Sequence, residues 1–298
     1  MHEVLSSRDA VEISMLIRRR GFCTLVASMP GLATVANAQH EERWIRLNVL
    51  MSNPTANELR HQRLWMYLPV RTGAHVRAVH QQSTGDHVFT TDPLGHSIVE
   101  LRLDSLPAYG HHIFNILIQL QSGEVISDAS AFPQTNVWLL PQSKIESNHP
   151  SLRELGAALV RGRAQDTALA AYQWVSSHMT YAGYLSENRG ALHALRTLVG
   201  DCTEYAELLV ALCRAAGVPS RMVGGYVSDR SFAPRPADYH DWAEIWIDGR
   251  WRVADAQLRN WLAAETNYIP LRYHWDIPVN PVGLAHRHRV AGEVQVNL

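Results

Sequence analysis

The sequence predicts an α+β protein, with a strand-rich region first and a helical region after it. Short runs of alternating apolar residues recur between about residues 40 and 140. Apolar residues at helical spacing take over from Leu152. Further on, Asp248-Gly249 sits between two alternating runs, the mark of a two-residue hairpin turn.

In the first region, Trp44 to Val49 alternates, and Arg63 to Leu68 puts Leu64, Met66 and Leu68 on one face. Ser97 to Leu103 and Ile113 to Leu120 add two runs, punctuated by Asn53-Pro54, Thr84-Gly85-Asp86 and Leu94-Gly95. Strands at this spacing, without helical periodicity, predict a β-sandwich over residues 39–140. It carries no catalytic constellation. His111 and His112 are adjacent, so a strand would point them to opposite faces, away from a shared metal.

Pro133, Pro141 and Pro150, among Gln, Ser, Asn and Lys144, predict a linker, placed at residues 141–151. Beyond it Leu152, Leu155 and Leu159 keep helical spacing, as do Ala168, Tyr172, Val175 and Met179. Residues 152–298 form the predicted catalytic domain.

Residues 1–38 read as a targeting segment. Arg18, Arg19 and Arg20 are followed by Gly21 to Val35, an apolar run too short to cross a bilayer comfortably. Ala36-Asn37-Ala38 is a small-x-small cleavage site. Arg19-Arg20-Gly21-Phe22 resembles a twin-arginine leader, and Met15 is an alternative start. No later stretch has transmembrane length, so the expectation is a periplasmic or secreted protein with no stable membrane span. A net charge of -1 lacks the basic excess of a nucleic-acid partner. Lys144 is the only lysine, which reflects composition bias rather than function. No metal spacing, phosphate loop or dinucleotide fingerprint appears, so no cofactor is expected. His286 and His288 would share a strand face, but two imidazoles alone do not make a metal site.

Cys23 leaves with the leader, so the chemistry falls to Cys202 and Cys213. Asp201 and Glu204 form a capping-box-like helix start, and Leu208, Leu209, Leu212, Cys213 and Ala216 continue it as an apolar stripe. Arg214 and Gly217 mark its end. Cys202 therefore lies in the first turn, where the positive end of the helix favours a thiolate and a free N–H can face an oxyanion. Eleven residues along one helix separate the two thiols by about 16 Å, too far for a disulfide. Cys213 reads as a small core hydrophobe.

The hairpin supplies partners. His240 to Ile247 is a predicted strand, with Trp242, Glu244 and Trp246 on the His240 face, and Arg250 to Asp255 is its return. A two-residue loop pairs Ile247 with Arg250, which brings Trp242 opposite Asp255 and leaves His240 one diagonal step away. An imidazole and a carboxylate can meet there, with the other ring nitrogen free for a thiol.

Five separated blocks carry a resemblance: Gly200-Asp201-Cys202-Thr203-Glu204, Ala211 to Arg221, Gly224-Gly225-Tyr226, His240-Asp241-Trp242-Ala243-Glu244 and Trp251 to Asp255. They resemble the transglutaminase-like superfamily over roughly Leu152 to Asn260, and the strand-rich region resembles the immunoglobulin-like domains of bacterial members. The resemblance implies a papain-like α+β core and an acyl-enzyme, with Cys202 as nucleophile, His240 as proton carrier and Asp255 as orienting acid. Ala256 stands where the family often has proline. Trp174 and Tyr181 match a recurrent aromatic pattern upstream of the nucleophile, and Trp242 and Trp246 are expected to line the cleft or core.

Three functions stay open: hydrolysis of a peptide or amide bond, acyl transfer to an amine with cross-linking, and a non-enzymatic binding or scaffold module. The first, with a protein or peptide substrate, is the leading expectation. The same triad serves both enzymatic readings.

Overall fold

A computed structural model describes residues 42–123 and 135–298. The expected leader with Cys23 and the Ala36–Ala38 cleavage site, and Pro133 ahead of the linker, lie outside the described residues.

Strands β1 (Glu42–Ser52), β2 (Leu59–Leu68), β3 (Val76–Ser83), β4 (Asp86–Thr91), β5 (Ser97–Leu106) and β6 (His111–Ser122) come first. Helices α1 (Pro150–Leu159) and α2 (Ala164–His178) follow, then β7 (Thr180–Tyr181), α3 (Ala191–Thr197), β8 (Val199–Gly200) and α4 (Cys202–Ala215). The chain continues through β9 (Ser220–Val227), β10 (Tyr239–Ile247), β11 (Arg250–Asp255), β12 (Asn260–Trp261) and β13 (Tyr268–Tyr273). It closes with β14 (His288–Ala291) and β15 (Gln295–Asn297). This is the expected α+β order.

Two antiparallel sheets, β15-β1-β6-β3 and β14-β2-β5-β4, face each other as a sandwich. Period-2 alternation turns Ile45, Val49 and Met51 of β1 inward against Leu64 and Leu68 of β2 and Phe114, Ile116 and Ile118 of β6. Each such burial stabilises by roughly 1.5–3 kcal/mol. The sequence did not show β3 and β4, which are the edge strands and carry mixed polar segments with no sustained apolar period.

The chain's end does not stay with the helical region, where it was grouped. His288–Ala291 pairs with Met66–Arg63 of β2, and Gln295–Asn297 pairs with Ser52–Leu50 of β1. Both strands are too short to announce themselves, and their partners lie near the other end of the chain.

In the helical region α4 is the central element, packed on α1, α2, α3 and β10. Its stripe of Leu208, Leu209, Leu212 and Cys213 is fully buried. The five-stranded antiparallel sheet β12-β11-β10-β9-β13 lies against it. Alternation sends Ala243 and Ile245 of β10 into the helix-side core, and Trp242 and Trp246 into an aromatic cluster with Trp138, Trp251, Tyr268 and Tyr273. Asp248 and Gly249 take φ of 50° and 79°, as a primed two-residue turn requires, and Ile247 pairs with Arg250. Cys202 and Cys213 are both unbridged, as their places on one helix demand.

Candidate active site

The nucleophile candidate is placed by a capping box. Asp201 is extended, its Oδ1 accepts the Thr203 N–H at 2.8 Å, and Glu204 Oε2 accepts the Asp201 N–H at 3.0 Å. The same two carboxylates hold the segment before the helix: Leu185 N–H donates to Asp201 Oδ2 at 3.0 Å and Arg189 N–H to Glu204 Oε1 at 3.1 Å. Cys202 is thus the first residue of α4, half-buried, on a start anchored from both sides.

The ladder of β10 and β11 stops at Ala243 and Ala254, and one step further lie Trp242 and Asp255. His240 Nε2 meets Asp255 Oδ2 at 2.6 Å. Asp255 is saturated: Oδ1 accepts the N–H groups of Gln257 at 3.1 Å and Leu258 at 3.0 Å, and Oδ2 accepts the Tyr268 hydroxyl at 3.1 Å. With Nε2 engaged by Asp255, the ring also lies within electrostatic reach of the Cys202 side chain. Burial works against a charged His240, but the Asp255 and Cys202 side chains outweigh it and hold the imidazole up at about 10. The ring is then an imidazolium at neutral pH, wedged between a thiol and a carboxylate. Its side chain is 12% exposed and that of Asp255 only 2%, so the pair is shielded from water.

The structure therefore brings Cys202, His240 and Asp255 together. The other expected residues separate. Trp242 is buried, edge-on to Tyr268 at 5.1 Å and stacked behind His240 at 6.4 Å, and Trp246 packs on Trp251. Trp174 stacks on His178 at the rim of the helical core. Tyr181 stays exposed on β7, paired with Gly200. Burial, with the neighbouring Cys202 and Asp201, pushes its hydroxyl up. His112 lies against Phe114 in the sandwich. His286 and His288 part company, the first against Tyr239 and the second opposite Met66 on β14.

Some contributors were not visible in the sequence. Tyr268 belongs to an apolar strand after Asp255, and no motif announces its bond to the carboxylate. Arg221 and Glu244 form a buried ion pair, Nε to Oε2 at 2.8 Å, with the guanidinium over Trp251 at 4.2 Å and Tyr273 at 3.8 Å. Their alternation was readable, but their partnership across β9 and β10 needed the register of the sheet.

Residues 156–256 match the transglutaminase-like superfamily model. An uncharacterised protein of Mycobacterium leprae is 30% identical over 88 residues, 28% of this chain. That match spans about a third, 32%, of the relative's own length. A candidate cysteine protease from Cytophaga hutchinsonii superposes with a TM-score of 0.60 at 15% identity, over 86% of this chain and 88% of its own. At that identity the likeness speaks for the fold alone, an α+β one. The matched stretch, residues 156–256, contains Cys202, His240 and Asp255, and over it the chain is similar to the transglutaminase-like superfamily.

Proposed function

We propose that the protein hydrolyses peptide or amide bonds through an acyl-enzyme on Cys202. The observation that carries this reading is one imidazole set between the Cys202 side chain and the Asp255 carboxylate. A thiolate beside that imidazolium attacks the substrate carbonyl carbon. The oxyanion meets the backbone N–H at the start of α4. His240 gives its proton to the departing amine nitrogen, then takes one from the water that attacks the thioester, and collapse of that adduct releases the acid and restores the thiolate beside the imidazolium. Asp255 keeps the ring oriented and stabilises its charge. Hydrolysis is ranked above amine transfer by the likeness to a candidate protease.

The division into a sandwich and a catalytic domain, the leader over residues 1–38, and a periplasmic or secreted location belong to the same proposal. Among the described residues no helix is long and apolar enough to cross a membrane.

The test is incubation with a thiol-directed amide probe, mass mapping of the labelled residue, and a glutamine peptide offered with a labelled primary amine. Label on Cys202 and release into water in excess are expected. Preferential amine incorporation would favour cross-linking, and an unlabelled Cys202 with no turnover would favour the scaffold reading.

A further inference from the structure

The residues that follow the nucleophile and the base in sequence are bonded to each other. Thr203 Oγ1 donates to Asp241 Oδ2 at 2.8 Å. Cys202 is the neighbour of Thr203 on α4, and His240 is the neighbour of Asp241 on β10. The one bond therefore joins the first turn of the helix to the strand that carries the imidazole. Alternation puts Asp241 on the side of β10 that Ala243 and Ile245 turn to α4, so the carboxylate reaches the helix start directly.

The site for this carboxylate is built. Asp241 is 2% exposed. Gly224 lies directly opposite it on β9, and a side chain there would put Cβ 2.7 Å from Asp241 Oδ1 and 2.1 Å from the Tyr239 hydroxyl oxygen. Only glycine leaves the space. His274 Nε2 stands 3.4 Å from Asp241 Oδ1, and His286 lies beside His274 with ring centroids 5.8 Å apart. Arg272 also faces this group, and Arg287 lies over Tyr239. Burial and the charge of Arg272 hold His274 down at about 4, so at neutral pH it faces the carboxylate uncharged. Burial opposes the charge on Asp241, yet His274, His286 and the Thr203 hydroxyl hold its carboxyl well below the usual range. An ionised carboxylate accepting a hydroxyl proton is a strong hydrogen bond, fit to hold two elements in register.

We infer that Asp241 and Thr203 are positioning residues that set the distance between the Cys202 thiol and the His240 ring. This rests on the reading of Cys202 and His240 as nucleophile and base. Neither residue touches the reacting atoms. Each acts through its chain neighbour, and a displacement of the order of 1 Å at the thiol is enough to slow its chemistry. The hydroxyl of Thr203 is essential, whereas its methyl is not.

The experiment measures alkylation of Cys202 by iodoacetamide in the full chain, as a rate against pH, with mass mapping and a melting curve for each variant. It needs no substrate. Thr203→Val, which keeps the shape and deletes the hydroxyl, should slow alkylation at neutral pH by about tenfold and alter the pH profile. Thr203→Ser should restore both. Asp241→Asn, nearly isosteric, should slow it too, and it carries the same test if the valine variant does not fold. Parental rates and profiles in both Thr203→Val and Asp241→Asn, or a failure of Thr203→Ser to recover while folded, would overturn the inference. A parent chain whose Cys202 reacts no faster than N-acetylcysteine would overturn the proposed function first, and this inference with it.

Discussion

At the scale of single residues, the two cysteines among the described residues are a built-in comparison. Cys202 opens α4 half-buried beside an imidazole, whereas Cys213 is fully buried on the same helix and burial pushes its thiol up to about 12. Alkylation of the folded protein should therefore label Cys202 and spare Cys213, and mass mapping reads it directly. Cys202→Ala should abolish turnover and leave the melting temperature near that of the parent, because a half-exposed first-turn side chain adds little to the core. His240 gives a second prediction. Its pKa is raised from 6.5 to about 10, so its charged form persists through neutrality. The stability it shares with Asp255 is fully present below about 6.5 and is lost as pH rises through about 10. In the folded enzyme the proton for the leaving amine is lost only as pH rises through about 10, so turnover should fall at alkaline pH. Asp255→Asn removes a main support of the charge, so the fall should move to lower pH while the nucleophile survives. A pH–rate profile that does not move in Asp255→Asn would contradict this account of the ring. Much at this scale was legible in the sequence, since a cap, a hairpin turn and a register count place all three residues. Tyr268 and the Asp241–Thr203 bond were not, because each depends on which strands lie side by side.

At the scale of elements, the start of α4 bears more than its own hydrogen bonds. Glu204 is fully buried and accepts two backbone N–H groups, from Asp201 and from Arg189. Glu204→Ala would leave both donors without that acceptor and should cost about 2–4 kcal/mol. Glu204→Gln keeps one carbonyl oxygen and should cost less. Thermal unfolding of the two variants checks the order, and an alanine variant as stable as the parent would show that the cap is dispensable. This element could be read in advance because a capping box is local: donor and acceptor are three residues apart. The hairpin of β10 and β11 was legible for the same reason. β3, β4, β14 and β15 were not, since they are edge strands whose identity comes from a distant partner rather than from their own pattern.

At the scale of the whole molecule, the described chain from Glu42 onward falls within one compact unit, His40–Leu298. The sandwich core continues without a break into Tyr226, Ile269, Leu271 and Val282 of the following region. Hydrogen bonds cross as well. Val70 N–H donates to the Pro270 carbonyl at 2.9 Å, and the Tyr273 N–H donates to His96 Nε2 at 2.8 Å while Nδ1 of that buried ring faces Asp92 at 2.7 Å. Arg43 of β1 reaches the carbonyls of Ser228 and Thr266. The last strands add a second seam, with the N–H of Glu293 donating to Gln62 Oε1 at 2.7 Å as β14 and β15 close on β2 and β1. Apolar burial shared across a boundary makes the two sides lose stability together. Calorimetry of the chain from His40 should therefore show one unfolding transition, with van't Hoff and calorimetric enthalpies in agreement. Deleting residues 288–298 should lower its midpoint and, by baring the edges of β1 and β2, promote self-association visible by light scattering. Two separated transitions in the intact chain would mean that the sandwich and the helical region stand independently, and that the shared core and the C-terminal seam contribute little.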